Sequence, residues 1–223
     1  SNNVLGIEIV TMDGDIIHIG GKHLEAGSLD LLGVMTGSEG LLGVVTEVTV
    51  RILRKPSTQR AMLVGFASAL DAGQAVSDVI SAGIIPAGME MMDNPAIRAA
   101  EDFVNVGYPT EAGALLIVEL DGPEVEVNAL LQAVETIMLK AGADSIRLSQ
   151  SEAERNEFWA GRKAAFPAVG RLSPDYLCMD GTIPRKALPE MLVRMSVMSQ
   201  KYGLRVANVF HAGDGNLHPL ILF

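Results

Sequence analysis

From about residue 60 onward, segments with the two-residue period of a strand alternate with segments with the period of a helix. Strands are predicted at 60–67, 87–92, 114–120 and 145–149, and helices at 70–82, 95–102 and 123–141. The last helix repeats apolar residues at i, i+3, i+4 and i+7 and stops before Gly142. The β-α-β unit occurs twice, which predicts an α+β fold: a ferredoxin-like antiparallel sheet with helices on one face.

The last third of the chain continues the alternation. Ser151 and Glu154 form a capping box that opens a helix over 151–166. Pro184 opens a further helix, which Gly203 closes. Strands are predicted on either side of that second helix, at 176–182 and 204–210.

The first 55 or so residues follow a different pattern. The Asp13-Gly14 dipeptide is a strong hairpin signal between strands predicted at 4–10 and 16–19. A short helix from Asp30 and a glycine-punctuated turn then precede a β-branched strand over 44–53, which ends at Lys55-Pro56. We place a domain boundary at about residues 55–60.

The bulk properties of the 223 residues argue against two classes of partner. A net charge of −10 without a cluster of Lys or Arg disfavours nucleic acid, and no apolar run approaches the length of a membrane span. The single cysteine, Cys178, excludes an internal disulfide and fits a reducing compartment; in a predicted strand it is expected to be an inert, buried thiol. Because both ends of the chain are apolar strands, we expect it to be a fragment of a longer protein.

The motif HAGDGNLH, residues 211–218, places two of the four histidines on either side of a tight turn. If Asp214 and Gly215 form a two-residue turn, His211 lies directly opposite His218, with Cβ atoms about 4.5–5.5 Å apart. Two imidazoles at that distance can share one metal ion or one substrate, although two ligands do not complete a zinc site. A purely structural turn is the alternative interpretation.

An arginine lies among aromatic residues on the helix predicted from Ser151. Phe158, Trp159, Arg162 and Phe166 share one face of that helix, whereas Arg155 falls at its edge as a solvated charge. A guanidinium among aromatic rings either stacks for packing or clamps a carboxylate in a water-poor cleft. The pattern alone leaves both interpretations open.

The glycine-rich turn GSEGLLGVV, residues 37–45, is not a dinucleotide-binding fingerprint, because it precedes a strand and does not open a helix. Its three glycines permit positive φ angles and the close approach of a ligand to the backbone. A plain structural turn is the alternative.

Three stretches of the sequence together resemble a known family. NNVLGIEIVTMDGDIIHIGGK (residues 2–22) is similar to the late part of that family's flavin domain, and TGSEGLLGVVTEVTV (36–50) to the signature near the end of that domain. HAGDGNLHPLI (211–221) is similar to the hallmark of the family's C-terminal substrate domain. The family is that of the FAD-linked oxidases of the vanillyl-alcohol oxidase type. The resemblance is strongest to the branch that contains FAD-binding subunits of glycolate oxidase and the D-lactate and D-2-hydroxy acid dehydrogenases.

This resemblance implies an FAD-dependent enzyme that oxidises a small 2-hydroxy acid, glycolate or D-lactate, to the 2-oxo acid by hydride transfer to FAD. Residues 1–57 would be the C-terminal portion of the FAD-binding domain, and residues 58–223 the substrate (cap) domain, truncated at its end. The segment that matches the family's FAD contacts, made largely by the backbone, comprises Glu39, Gly40, Leu41, Leu42, Gly43, Val44 and Val45.

The resemblance also implies roles for residues of the C-terminal domain. Arg162 would bind the substrate carboxylate, and Asn216 could hydrogen-bond the substrate while supporting the turn. His211 and His218 would lie by the flavin and the substrate and, in some members, hold a divalent metal such as Zn²⁺. Directly or through that metal they would polarise the hydroxyl, and one of them, or a residue outside this chain, would take its proton.

The sequence departs from the family pattern in three places. The main pyrophosphate-binding loops would lie upstream of residue 1, a Glu-His pair that completes the metal site would lie past Phe223, and Cys178 stands where some of the dehydrogenases have a substrate-binding lysine. We therefore expect the isolated fragment to be inactive.

Further oxidase subunits or an electron acceptor are the expected partners of the whole enzyme, which we expect in the cytoplasm or peripherally at the inner face of the membrane. Two alternatives from other functional classes stay open. One is a non-catalytic ferredoxin-like module that docks a partner through its acidic surface. The other is a metal-dependent hydrolase that uses the histidine pair.

Overall fold

The computed structural model describes residues 3–23 and 29–223. The chain divides into two compact units, Ser1–Lys55 and Pro56–Phe223, and each has a sheet of its own. The hairpin with the two histidines and the helix with Arg162 belong to the second unit, and the glycine-rich turn belongs to the first.

The first unit is a three-stranded antiparallel sheet with one short helix. Its elements are β1 (Val4–Val10), β2 (Ile16–Gly20), α1 (Leu31–Met35) and β3 (Val44–Val50), and the strand order is β2-β1-β3. Only Ile7, Ile9 and Met35 are buried in its core among the described residues. Strand β3 is exposed along its whole length, so much of the apolar surface of this unit is uncovered.

The second unit is built on a seven-stranded sheet in which every pairing is antiparallel. Besides these seven strands, the second unit contains two short strands that pair with each other. In chain order the strands of the unit are β4 (Thr58–Phe66), β5 (Gly88–Asp93), β6 (Ala114–Gly122), β7 (Ala143–Leu148), β8 (Tyr176–Cys178), β9 (Gly181–Thr182), β10 (Arg205–Phe210), β11 (Asn216–Leu217) and β12 (Pro219–Leu222). The sheet order is β7-β4-β6-β5-β10-β12-β8, and β9 pairs separately with β11.

Five helices pack on this sheet: α2 (Ala69–Ser81), α3 (Asn94–Val104), α4 (Glu124–Lys140), α5 (Glu152–Val169) and α6 (Leu188–Tyr202). The order β7-β4-β6-β5 with α2 and α4 as crossovers is the split β-α-β arrangement of ferredoxin-like sheets, so the predicted α+β class with an antiparallel sheet is confirmed.

The helices cover both faces of the sheet, and the expectation that they lie on one face is wrong in this detail. Along β4, Met62, Val64 and Phe66 belong to one apolar cluster with residues of α2, α4 and α6, whereas Ala61 and Leu63 belong to another with residues of α3 and α5. The reason is that α3 is inserted between β5 and β6 and forms, with α5, a second layer. Strands buried on both faces are therefore apolar at consecutive positions.

Two predicted elements of the last third have different bounds. The strand predicted at 176–182 is divided because the chain leaves the main sheet after Cys178 and pairs again, with β11, at Gly181. The helix predicted from Pro184 begins as a 3₁₀ turn and becomes α6 at Leu188, and Gly203 ends it with a φ of +65° as expected. Among the helices of residues 3–23 and 29–223, none has the length and hydropathy needed to span a bilayer.

Candidate active site

The turn between the two histidines is longer than predicted. His211 pairs with Asn216 and not with His218: the His211 N–H donates to the Asn216 carbonyl at 3.0 Å, and the Asn216 N–H donates back at 3.3 Å. The turn forms hydrogen bonds with other strands that do not fit the predicted register: β11 pairs with β9, and the Gly213 N–H donates to the Met89 carbonyl of β5 at 2.9 Å. The predicted two-residue turn is therefore wrong.

The two histidines nevertheless share one face of the hairpin. Side chains alternate along a strand, so His218 points to the same side as Asn216 and hence as its partner His211. The ring centroids of the histidines are 5.1 Å apart and the rings meet edge to face at 86°. The structure thus brings the imidazoles together through a diagonal contact.

Arg162 of α5 is held against the sheet by a glutamate of β5. Its Nε donates to Oε2 of Glu90 at 2.9 Å, and its Nη2 lies 2.8 Å from the same oxygen. The side chains of Arg162 and Glu90 are only 8% and 11% exposed. The second carboxylate oxygen of Glu90, Oε1, lies 2.8 Å from Nδ1 of His211, so one carboxylate joins the arginine to a histidine.

Phe166 closes this arrangement into a continuous set of contacts. The guanidinium carbon of Arg162 lies 5.9 Å from the centre of the Phe166 ring. The Phe166 and His218 rings meet edge to face, with their centres also 5.9 Å apart. We call Glu90, Arg162, Phe166, His211 and His218 the Glu90 cluster. It places a guanidinium, a carboxylate and two imidazoles on one side of the sheet.

Sequence reasoning missed Glu90, although a signal for it exists. In the strand GMEMMD it is the one charged residue with apolar neighbours on both sides, and a charge in a buried strand needs an opposite charge or hydrogen bonds. That rule predicts a partner for Glu90. It does not say which one, because Arg162 and His211 are 72 and 121 residues away along the chain.

Two buried polar atoms of the candidate site make no hydrogen bond: Nη2 of Arg162, which can only donate, and Oδ1 of Asn216, which can only accept. The short contact of Nη2 with Glu90 does not have hydrogen-bond geometry. Because an unsatisfied buried polar atom costs free energy, these atoms suit a ligand that offers an anionic acceptor and a hydroxyl donor.

Arg155 is not the solvated charge that the helix pattern suggested. Its side chain is 13% exposed, and its Nη1 donates to Glu119 of β6 at 3.3 Å. The same oxygen of Glu119 accepts a hydrogen bond from the Trp159 indole at 2.6 Å. Two successive arginines of α5 therefore pair with glutamates of the sheet, and only the second of these pairs contacts a histidine.

Cys178 is exposed, and the expectation of a buried thiol is wrong. It lies on β8, which is the edge strand of the seven-stranded sheet, so one side of its strand has no neighbour there. Partial burial and the nearby charge of Asp180 raise the pKa of the thiol. A raised pKa keeps the thiol protonated and is consistent with the expected low reactivity.

The segment from Glu39 to Val45 combines an open backbone with uncovered apolar side chains. Glu39 and Gly40 both have left-handed φ angles, +52° and +80°, and a Cβ atom at Gly40 would meet nothing within 4 Å. Leu41 and Val44 are 84% and 65% exposed. These properties fit a large, partly apolar group such as FAD, which could approach the backbone closely and cover those side chains.

The histidine pair does not assemble a complete metal site with its neighbours. Among the residues that the structure describes, no three His, Cys, Asp or Glu side chains are arranged to hold a metal ion. Nδ1 of His211 is engaged by Glu90, and Nδ1 of His218 lies 3.7 Å from Asp180. Two imidazoles leave a catalytic zinc ion without its usual third protein ligand among the described residues, so the metal role of His211 and His218 stays a prediction.

An apolar cavity of about 440 Å³ lies between α6 and strands β9, β10 and β12. Methionines 191, 195 and 198 and Ile221 form much of its wall, and the cavity contains no member of the Glu90 cluster. The titratable residues of its lining, Asp180 and Tyr202, are both exposed, so the cavity is not the candidate active site.

Comparison with known proteins connects the fold and the cluster to a family. Residues 55–223 match the family model described as FAD linked oxidases, C-terminal domain. The chain is 60% identical over 222 residues to the glycolate oxidase subunit GlcD of Escherichia coli strain K12 and 39% identical over 217 residues to that of Bacillus subtilis. These matches cover 100% and 97% of this chain but 44% and 46% of the relatives, so the chain spans less than half of their length.

More distant matches share the fold. The mitochondrial D-lactate dehydrogenase [cytochrome] of Arabidopsis thaliana is 29% identical over 225 residues, which are 100% of this chain and 39% of that protein. The solved structure of p-cresol methylhydroxylase with substrate bound superposes with a TM-score of 0.69 at 14% identity, over 99% of this chain and 51% of that one.

Proposed function

The chain belongs to the family of FAD linked oxidases that have this C-terminal domain, and from that premise we propose that the enzyme containing it oxidises a small 2-hydroxy acid to the 2-oxo acid. Glycolate and D-lactate are the substrates we propose, since the relatives at 60% and 29% identity are named for these acids. The observation that supports the proposal is the Glu90 cluster, in which a buried arginine and two imidazoles lie on one side of the sheet.

Arg162 binds the substrate carboxylate in this proposal. Glu90 faces the Nε–Nη2 edge of the guanidinium, and the buried Nη2, although 2.8 Å from Oε2 of Glu90, does not have hydrogen-bond geometry to it. A guanidinium has five N–H donors in a fixed plane, so the Nη end remains able to hold a second carboxylate by charge-assisted hydrogen bonds. Asn216 accepts a hydrogen bond from the substrate hydroxyl through its buried, unpartnered Oδ1.

The reaction removes one proton and one hydride from the substrate. An imidazole of the histidine pair accepts the hydroxyl proton through its ring nitrogen while the carbon–oxygen bond becomes a carbonyl. The backbone of Glu39–Val45 would contribute to holding FAD, which would supply the acceptor for the α-hydrogen and its two electrons. The products are the 2-oxo acid, a protonated imidazole and the reduced cofactor, so that hydrogen atoms and electrons balance.

The two units have separate tasks in this proposal. Residues 1–57 are the C-terminal portion of the FAD-binding domain, and the backbone of Glu39–Val45 contributes to holding FAD. Residues 58–223 are the substrate domain. Because the two bacterial relatives are named as subunits, we propose that the whole enzyme works with further oxidase subunits that pass its electrons to an acceptor.

The test is steady-state kinetics of Arg162→Met in the flavin-loaded enzyme that contains this chain. We expect kcat/KM for glycolate or D-lactate to fall at least about tenfold, mainly through KM, because the variant loses the charge-assisted clamp. The matched control is Arg155→Met, which removes a half-buried, glutamate-paired arginine two turns earlier on the same helix. It should leave kcat/KM within about threefold of wild type.

Equal losses in the two variants would show that α5 needs its arginines for packing and would remove the clamp from the proposal. Visible absorption decides the reaction class independently. Flavin bands that bleach when glycolate or D-lactate is added without oxygen support the oxidation, whereas a colourless enzyme that binds zinc and hydrolyses esters or amides contradicts it.

A further inference from the structure

We propose that the apolar cavity beside α6 is the docking site of a helix, and the free edge of β8 that of a strand. Both elements belong to the enzyme's own polypeptide, in the part of it outside these 223 residues. The inference does not depend on the proposed oxidation. It follows from an internal repeat in the second unit.

The sheet of the second unit consists of two halves with the same order of elements. In the first half β4, α2, β5 and β6 follow one another, apart from the inserted α3, and β6 lies between β4 and β5. In the second half β8, α6, β10 and β12 follow one another, apart from β9, β11 and a 3₁₀ turn, and β12 lies between β8 and β10. The halves meet where β5 pairs antiparallel with β10, so each of these elements has a counterpart in the other half.

The first half has two further elements. Helix α4 follows β6 and lies on the same face of the sheet as α2, where Val127, Leu131, Val134 and Met138 are buried in one apolar cluster. The chain then forms β7, which pairs antiparallel with β4 on the side away from β6. Within residues 3–23 and 29–223 the second half has no counterpart of either element, and β8 is the edge of the sheet.

The apolar cavity lies where the counterpart of α4 would pack. It is bounded by α6, the counterpart of α2, and by β12, the counterpart of β6. Leu177 of β8 is opposite Ile221 of the cavity wall and shares its face of the sheet, yet it is 53% exposed. In the first half Met62, Val64 and Phe66 of β4 are fully buried in the cluster that contains α4. The surface around the cavity therefore has the place and the apolar character of a helix-packing surface.

The free edge of β8 can accept the counterpart of β7. The Met179 N–H, directly after β8, donates to the Pro219 carbonyl of β12 at 3.0 Å. Successive residues of an antiparallel strand direct their backbone groups to opposite sides, so those of Tyr176 and Cys178 face the open side of β8. Unpaired backbone groups at a sheet edge are a template for a further strand, which would be antiparallel to β8 as β7 is to β4.

A segment of the same polypeptide is the occupant that the repeat favours. In the first half, residues 124–148 supply both elements and follow β6 directly along the chain. The chain spans 44% and 46% of the two glycolate oxidase subunits, so each of these relatives has enough further sequence for such a segment. We expect its helix to have apolar residues at i, i+3, i+4 and i+7, as α4 has, directed at the methionines of α6.

Thermal unfolding of the whole enzyme and of the 223-residue chain tests the inference with two neighbouring residues of α6. Met198 and Val197 are 47% and 57% exposed, but only Met198 lines the cavity. Met198→Glu should lower the Tm of the whole enzyme by at least about 4 °C, because the covering helix would bury the new carboxylate without a partner. In the 223-residue chain its Tm should change by less than about 1 °C. Val197→Glu is the matched control and should change neither Tm by more than that.

Hydrogen exchange read by mass spectrometry gives the second readout. Peptides that contain Tyr176 and Cys178 should exchange at least about tenfold more slowly in the whole enzyme than in the 223-residue chain, because the added strand accepts hydrogen bonds from their N–H groups. Peptides from β7, the edge strand at the other end of the sheet, are the control and should exchange alike in both.

The inference is overturned if Met198→Glu and Val197→Glu shift the Tm of the whole enzyme equally, or if the exchange of β8 is the same in both forms. Equal losses of Tm from Met198→Glu in the two forms would also overturn it, because Met198 would then be packed by this chain alone. Light scattering identifies other occupants: a whole enzyme that loses a second copy or another subunit on Met198→Glu has the cavity covered by that partner, and the inference is wrong.

Discussion

Asp93 is a buried carboxyl that serves two elements at once. It is the last residue of β5, and its Oδ1 accepts the Ala96 N–H that begins helix α3 at 3.2 Å. Its Oδ2 accepts a hydrogen bond from Asn208 of β10 at 2.7 Å, while Oδ1 of Asn208 is buried without a partner. Burial outweighs these hydrogen bonds and raises the pKa of Asp93 from 3.8 to about 6.

This shift predicts a loss of stability as the pH rises. Between pH 4 and 6 the folded chain keeps a proton on Asp93 that the unfolded chain has lost, so the free energy of unfolding falls with pH across that window. The total effect is on the order of 3 kcal/mol, from about 1.4 kcal/mol per pKa unit. Asp93→Asn removes the titration and keeps the helix cap, and its amide can satisfy Asn208.

Urea denaturation at a series of pH values checks this prediction. The difference in free energy of unfolding between Asp93→Asn and wild type should grow in favour of the variant from pH 4 to pH 7. A difference that is constant across this range would show that Asp93 titrates as it does in the unfolded chain.

At the residue scale, the sequence predicts the histidine pair well and its partners poorly. His211 and His218 lie on one face of a hairpin whether the turn has two residues or four, because an even change in turn length preserves the alternation of side chains. The prediction that the two histidines share one face is therefore confirmed, although the predicted strand register is wrong. The role of Glu90 was not predicted, because it depends on contacts of β5 with α5 and with the hairpin, and only the fold brings these elements together.

Helix α5 is the element on which the candidate site depends most, and a glycine determines how closely it docks. A Cβ atom at Gly161 would overlap the ring of Tyr108, whose hydroxyl donates to the Phe158 carbonyl of the same helix. Arg162 follows Gly161 directly, so the contact of Tyr108 with the helix also affects where the Arg162 guanidinium lies.

We therefore expect Gly161→Ala to destabilise the protein. Alanine favours a helix over glycine by about 1 kcal/mol, but overpacking a buried contact costs typically about 1–3 kcal/mol, and the Tyr108 ring is buried and held by its hydrogen bond to the Phe158 carbonyl. Thermal unfolding should show a clearly lower Tm.

Gly73→Ala is the control, since Gly73 is also a buried glycine within a helix, α2. There the added Cβ meets the flexible end of the Leu192 side chain at 2.8 Å, which can rotate away. We expect its Tm to lie close to that of wild type. If both variants lose stability equally, the Tyr108 contact is not what distinguishes Gly161.

Element positions were predictable, and their layers were not. Hydrophobic periodicity locates α2, α4 and α5 within a few residues because an amphipathic helix must bury one stripe. The apolar stripe of a helix does not predict which face of the sheet the helix will cover. The separation of α3 and α5 from the other helices therefore became visible only in the two apolar clusters on opposite faces of β4.

For the whole molecule, the difference between the two units is one of core size. Among its described residues the first unit buries three apolar side chains in its core cluster, whereas the second unit has two large clusters, one on each face of its sheet. A small sheet with one short helix is marginal by itself, so we expect the second unit to be the stable one. Every member of the Glu90 cluster belongs to the second unit.

Limited trypsin digestion tests this division. Residues 51–55 are exposed and outside any strand or helix, and Arg54 and Lys55 are the basic residues nearest the boundary. Trypsin does not cut before proline, so the bond after Arg54 is the expected site and the bond between Lys55 and Pro56 is not. A fragment that begins at Lys55 should accumulate and resist further digestion.

Arg54→Gln is the control and should prevent that fragment from accumulating. Because the Glu90 cluster draws all its residues from the second unit, the purified fragment should keep the fold of that unit, which its circular dichroism spectrum can show. Digestion of both units at the same rate would mean that the stability of the second unit depends on the first. The domain boundary proposed at residues 57 and 58 would then not separate two independently folding parts.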